Sequence, residues 1–317
     1  MKPFALKALI FVVSFWLGCF VVNRVLNRAF IQDRSHKQMW SLSLRDLSMD
    51  YAIVGSSRAL NNVDALALSS KTGSHVVNLG CGGQSIMDMY LTLYLFLKHN
   101  NRVHDVLLQV DGTDVDYSHQ FMSYIYVPYL SDAQVAATES EMGGFKRRIA
   151  RTVCPLSAYW EYNDFYDLQR LRQIRSEKSE YDATQGSQLL YDDSYNVFPV
   201  IEEQPRFVAD ARSVKYLERL MKLAVDHGVR VTVFSAPQYH RDPIFRRYDN
   251  DARSYIAQFC RDHGVRYLDF TEAQFDSSEF RDYGHLNGRG AERFSLMLSD
   301  SLNNMNAVNS APLASAQ

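Results

Sequence analysis

Five short apolar runs, Tyr51–Gly55, His75–Leu79, Asp105–Val110, Arg230–Phe234 and Val265–Phe270, alternate along the chain with stretches of helical character. Runs this short and this apolar suit strands buried on both faces. Apolar or amphipathic stretches near Ile86–His99, Arg212–His227, Asp251–His263 and Gly288–Leu302 supply the helices. Strands that follow one another through helices run parallel, because a parallel pair needs a crossover of about a dozen residues or more. The expected fold class is therefore α/β: a flavodoxin-like three-layer sandwich with a mostly parallel five-stranded sheet, over residues 47–302 and interrupted once, at about 115–206. In such a sheet every loop that follows a strand emerges at one edge, and that edge is where ligands bind.

The chain begins differently. From Ala8 to Val22 the sequence ALIFVVSFWLGCFVV carries no charge, and Phe4–Leu6 extends it beyond Lys7. About 20 residues at 1.5 Å each cross the hydrocarbon of a bilayer, and Lys7 can snorkel to the interface. No small-x-small cleavage site follows the run, and WLGC around Cys19 is a poor lipidation signal. Residues 1–30 are thus expected to be a single transmembrane anchor, 31–46 a polar linker, and 303–317 a disordered tail. Lys2 and Lys7 favour a cytoplasmic amino terminus while Arg24, Arg28, Arg34 and Lys37 oppose it. The short amino-terminal tail fits a signal anchor that sends the main domain outward.

The charge balance, 34 Lys+Arg against 36 Asp+Glu, leaves no basic excess of the kind that binds nucleic acid. Cys19, Cys81, Cys154 and Cys260 form no CxxC pair, so no zinc cluster or dithiol motif is indicated. Sequence leaves open whether Cys154 and Cys260 bond. Ten of the nineteen tyrosines fall between Tyr117 and Tyr195, inside the interruption. Long insertions of this kind build lids or binding walls. Tyr159, Trp160 and Tyr162 are candidates for stacking on a sugar, although such residues more often pack a core.

Three loops carry the chemistry. Gly55-Ser56-Ser57-Arg58 follows the first strand, where a sharp turn can lift a serine hydroxyl to the sheet edge. Asn78-Leu79-Gly80-Cys81-Gly82-Gly83-Gln84-Ser85 follows the second, with glycines that let backbone N–H groups approach a developing oxyanion. It lacks a Walker lysine and the GxGxxG spacing, so it is a poor nucleotide loop. Asp282-Tyr283-Gly284-His285 follows the last strand, and an acid three residues ahead of a histidine can turn back to hold its imidazole. Seven other histidines, His36, His75, His99, His104, His119, His227 and His263, read as surface or element ends, and His240 is a weak candidate.

Serine after strand one, a glycine loop after strand two and Asp-x-x-His after strand five resemble the SGNH, or GDSL-like, hydrolase superfamily. The resemblance covers residues 51–302 less the insertion, and makes Ser57 the nucleophile, Gly83 the oxyanion glycine, and Asp282 and His285 the remaining triad. One block departs: Asp111-Gly112-Thr113-Asp114 stands where the family has Gly-x-Asn-Asp, so the asparagine donor is missing and Thr113 is its nearest substitute. Loss of one such donor can cost about 10² to 10³ in rate. The anchor, the GSSR block and the insertion resemble the membrane-anchored branch, which includes the alginate O-acetylation and lipoteichoic acid D-alanine transfer proteins.

What the resemblance implies is a serine esterase or O-acyltransferase acting through an O-acyl-serine on Ser57. The expected partners are an acylated carbohydrate or envelope polymer and a membrane acyl-donor protein, with no cofactor and no metal. Arg58 and Asn78 are candidate substrate-binding residues, Arg58 either for an anionic group or merely as a carboxylate's partner. The rivals are a non-catalytic glycan-binding or scaffold protein of an envelope assembly, which would keep Ser57 and His285 apart, and a flavodoxin-like phosphate-binding domain.

Overall fold

A computed structural model describes residues 2–116, 120–174, 178–191, 206–239 and 243–310. The chain opens with α1 (Lys2–Ile31) and α2 (Lys37–Ser43). Then come β1 (Ser48–Val54), α3 (Ser57–Asn62), α4 (Ala65–Thr72), β2 (Val76–Asn78), α5 (Ile86–Lys98), β3 (Arg102–Gln109) and α6 (Gly112–Val115). A 3-10 segment (Ser123–Tyr129), α7 (Ala133–Val153), α8 (Ser157–Glu161), α9 (Leu168–Gln173) and α10 (Glu180–Ala183) follow. The chain continues through α11 (Ala211–Asp226), β4 (Arg230–Ser235), α12 (Pro243–Asp262), β5 (Arg266–Asp269) and α13 (Gly288–Ser310). Two compact units result, one from residues 1–43 and 121–179, the other from 44–120 and 180–317.

The second unit is the α/β domain. Its sheet has the order β2-β1-β3-β4-β5, and every pair is parallel. The five expected strands are therefore all present, within a few residues of the expected bounds. Registers such as Ile53 against Asn78, Val54 against Leu108 and Gln109 against Phe234 bring the carboxyl ends of β1, β2, β3 and β4 into line. The order reverses direction at β1, and the gap between the ends of β1 and β3 is the switch point where ligands bind in open parallel sheets. Phe234, Phe280, Phe294, Leu298 and Leu302 build one buried layer with Leu68 and Val76. On α5 nearly every side chain is buried, and Tyr90 meets Tyr216 of α11 edge to face at 5.6 Å. The helix α5 starts where it does because Ser85 and Asp88 form a reciprocal capping box.

The first unit is helical. The carboxyl half of α1 is tied down: Phe30 stacks on Tyr159 at 5.7 Å and meets Tyr166 edge to face at 4.6 Å, and the Tyr159 hydroxyl donates to Asn27 Oδ1 at 2.7 Å. Tyr159 is thus core rather than a platform for sugar. Buried Asp33 accepts from Arg170 Nε at 3.1 Å. The amino half of α1 stands apart from these contacts, with its large apolar side chains from Phe4 to Phe15 exposed. The span Pro3–Ile31, 29 residues, is long and apolar enough to cross a membrane.

Three sequence expectations change. Residues 37–43, read as linker, form a helix whose Met39, Trp40 and Leu42 are buried. Residues 180–191, read as part of the insertion, belong to the sheet unit, where Gln185 O accepts from Asn78 N at 2.8 Å and Gln188 N donates to Leu60 O at 3.0 Å. The final helix continues beyond Leu302 to Ser310, because nothing in Asn303–Ser310 breaks it; 311–317 lie outside the described residues.

Candidate active site

The turn that carries Ser57 is shaped by close packing. A Cβ on Gly55 would lie 2.7 Å from the Cβ atoms of Ala59 and Gln109, so the chain can leave β1 at this angle only with glycine there. Ser56 caps α3 in extended conformation, and Ser57 is its first helical residue. The Ser57 N–H is therefore one of the donors a helix leaves without an intrahelical acceptor.

Ser57 and His285, separated by 228 positions, meet: His285 Nε2 lies 2.8 Å from Ser57 Oγ. On the other side of the ring, Nδ1 lies 2.9 Å from both carboxylate oxygens of Asp282. An ionised carboxylate only accepts, so Nδ1 carries the proton; in the neutral ring Nε2 is then the acceptor, and the Ser57 hydroxyl donates to it. Asp282 Oδ1 also accepts from the backbone N–H groups of Gly284 and His285, each at 2.9 Å. Burial pushes the Asp282 carboxyl up, but the hydrogen bond and charge of His285 and the two N–H donors outweigh it and hold the carboxyl below its usual range. The constellation can take a proton from serine and return it to a leaving group. The non-catalytic reading expected Ser57 and His285 to stand apart, and they do not.

The glycine loop lies beside the turn that carries Ser57. Leu79 N donates to Ile53 O at 2.7 Å and Cys81 N to Gly55 O at 3.2 Å, so the loop continues alongside the chain as it leaves β1. Gly83 follows with φ of 73°. Among the described residues neither the Ser57 nor the Gly83 N–H is bonded to an acceptor, which leaves both able to donate to a ligand.

Of the two candidate substrate contacts, Asn78 is corrected, and Arg58 takes the second of its two readings, a carboxylate's partner. Asn78 is fully buried; its Nδ2 donates to Ala59 O at 2.7 Å and Val63 O at 3.2 Å, and its Oδ1 accepts from Gly80 N at 2.9 Å. Its amide is spent holding the glycine loop to α3. Arg58 pairs with Asp111, Nη1 to Oδ2 at 2.9 Å, with both side chains largely buried. Its charge is therefore already matched. Thr113 is exposed on α6. His119 and His240 lie outside the described residues, and Cys154 and Cys260 are free thiols.

Sequence reading passed over two buried amides. Gln109, at the end of β3, accepts from Ser56 N and Ser56 Oγ, each at 3.1 Å, and donates through Nε2 to Asp111 Oδ2 at 2.6 Å. It joins the residue before Ser57 to the acid that holds Arg58. Asn62 ends the helix that Ser57 begins. Its Nδ2 donates to Gly284 O at 3.1 Å and its Oδ1 accepts from Leu286 N at 2.9 Å, so it grips the chain on both sides of His285.

No protein-family model matches the chain, and no curated protein does. Solved structures that are similar include a carbohydrate acetylesterase from Sinorhizobium meliloti, with TM-score 0.41 and 9% identity over 82% of this chain and 99% of its own. A GDSL-like lipase from Bacteroides thetaiotaomicron gives 0.41 and 8%, over 84% and 95%. An inhibitor-bound aryl esterase from M. smegmatis gives 0.39 and 9%, over 81% and 99%. Likeness this distant carries no argument about activity.

Two outcomes follow from these buried groups. Asn62→Asp sets a carboxylate oxygen against Gly284 O, and spoiling one buried bond of this kind costs about 1–3 kcal/mol. The variant should melt lower and shift the ring-proton resonances of His285; wild-type resonances would contradict the grip. The second concerns Asp114, whose Oδ2 accepts from Asp111 N at 2.8 Å. Burial, with the Asp111 carboxylate beside it, pushes the Asp114 carboxyl up to about 7. Its folded pKa lies above the unfolded value of about 3.9, so stability present below about pH 4 is lost as pH rises through about 7. Asp114→Asn should remove this loss, so that its melting temperature falls less than that of wild type between about pH 5 and 8; parallel curves would contradict it.

Proposed function

We propose that this protein is a membrane-anchored serine esterase or O-acyltransferase of SGNH type. The observation that carries the reading is the continuous hydrogen-bond path from Ser57 through His285 to Asp282. As Ser57 Oγ attacks the carbonyl carbon of an acyl ester, its proton passes to His285 Nε2. The carbonyl oxygen becomes an oxyanion, and the N–H groups of Ser57 and Gly83 donate to it. When the C–O bond to the leaving group breaks, His285 returns the proton to the departing alkoxide, and the acyl group stays on Ser57. In the second half His285 takes a proton from water or from a sugar hydroxyl, whose oxygen attacks the acyl carbon; as the bond from that carbon to Ser57 Oγ breaks, His285 returns the proton to Oγ and Ser57 is free again. Asp282 stays ionised throughout and stabilises the imidazolium.

A two-donor oxyanion hole, without the family's asparagine, suits a slow hydrolase or an enzyme whose rate is set by delivery of its acyl donor. The anchor favours the transferase, because holding the site at the membrane raises its effective concentration beside a membrane acyl-donor protein. The proposed substrates are acylated sugars of an envelope or exopolysaccharide, on the outer side of the membrane.

Turnover of p-nitrophenyl acetate, measured with and without oligosaccharide acceptors, tests the reading. Ser57→Ala and His285→Ala should each lower kcat by about 10⁴-fold or more. Acetylated oligosaccharide formed at the expense of free acetate identifies a transferase, and acetate alone an esterase. Turnover unchanged in Ser57→Ala would overturn the assignment.

A further inference from the structure

Among the described residues, most of the large apolar side chains exposed in the helical unit lie on α1, but three others do not: Ile149 at 46%, Val153 at 69% and Trp160 at 81%. Ile149 and Val153 are four residues apart near the end of α7 and so share one face, and Trp160 follows on α8. Their height relative to α1 is fixed by contact. Trp16 Nε1 donates to Thr152 O at 3.4 Å, next to Val153. Trp16 sits inside the uncharged run, six residues or about 9 Å of helix short of Val22. If α1 crosses a bilayer, the end of α7 is carried to the level at which interfacial helices sit, about 5–10 Å into the boundary of headgroups and acyl chains.

Charge on the same segment agrees with that position. Arg147 and Arg151 are spoken for, paired with Glu139 and Glu161. Lys146 and Arg148 are exposed, and among the described residues neither forms an ion pair. Trp16, Phe20 and Ala136 also line a groove of about 770 Å³ between α1 and α7, together with the charged side chains Glu139, Glu141, Arg148 and Arg151. An exposed tryptophan, two aliphatic side chains on one face and unmatched cations beside them are the composition of a surface that lies in a headgroup layer.

We propose that the end of α7 together with α8 is a second membrane contact, with Ile149, Val153 and Trp160 seated in the headgroup boundary and Lys146 and Arg148 on the phosphates of anionic phospholipid. The proposal rests on α1 spanning the same bilayer, and its test reports on the two separately. Such a contact would fix the helical unit against the membrane at two places instead of one, which limits its tilt.

The full chain, reconstituted in nanodiscs of phosphatidylcholine and phosphatidylglycerol, holds three tryptophans. Difference emission between wild type and Trp160→Phe isolates Trp160, and between wild type and Trp16→Phe isolates Trp16. With brominated phosphatidylcholine in the bilayer, both signals should be shifted to the blue and lose most of their intensity. Quenching of Trp16 with Trp160 emitting as in water overturns the second contact while the anchor stands; no quenching of either overturns the anchor and the proposal with it. Replacing Lys146→Gln and Arg148→Gln together should reduce Trp160 quenching in anionic nanodiscs to the level seen in pure phosphatidylcholine. Quenching that ignores both substitutions and phosphatidylglycerol would refute the anionic headgroup site.

Discussion

In a sheet whose strands all run one way, each strand delivers its following loop to the same edge, and the site of this protein exists because of that. Ser57 leaves β1, the glycine loop leaves β2, and Asp111 follows β3. The fixed registers among these strands set the loops side by side before any side chain contributes. The last participant, His285, does not follow its strand directly; it comes from a turn beyond β5, closed by the pairing of Phe280 with Leu286. The sheet alone therefore does not place the base. Asn62 does so, by satisfying one acceptor and one donor of the backbone on either side of it.

Carboxylates around the nucleophile are divided by environment. Asp282, served by His285 and two N–H groups, is held ionised, which is the form that can stabilise an imidazolium. Asp114, buried next to Asp111, is pushed toward its neutral form, which lessens the cost of two carboxylates packed together. Arg58 compensates Asp111, and Gln109 ties that pair to Ser56. The residues that flank Ser57 thus belong to a buried network of polar partners that holds the turn.

Much of this was legible in the sequence. Short apolar runs revealed the strands because burial on both faces leaves little room for polar residues, and Ser57, Asp282 and His285, which the fold brings together, were marked by their positions after strands. Asn78 misled because a polar residue beside such a turn looks the same in sequence whether it faces a ligand or a buried partner; for Arg58, where both readings stood open, the structure shows the carboxylate's partner. Gln109 and Asn62 carried no signal: their partners include Ser56 and Gly284, 53 and 222 positions away, and two of Asn62's bonds go to backbone, which any sequence supplies. The helical unit was half visible. Its apolar helix stood out, but the packing of Phe30 with Tyr159 and Tyr166 joins segments that no local pattern connects.

The central claim is that His285 activates Ser57 as a nucleophile. Intact-mass analysis after exposure of the full chain to a serine-directed fluorophosphonate tests it most directly. A single adduct, mapped to the peptide bearing Ser57 and lost in both Ser57→Ala and His285→Ala, is the result expected. A folded wild-type protein that takes no adduct, or one that still takes it in Ser57→Ala, would contradict the account.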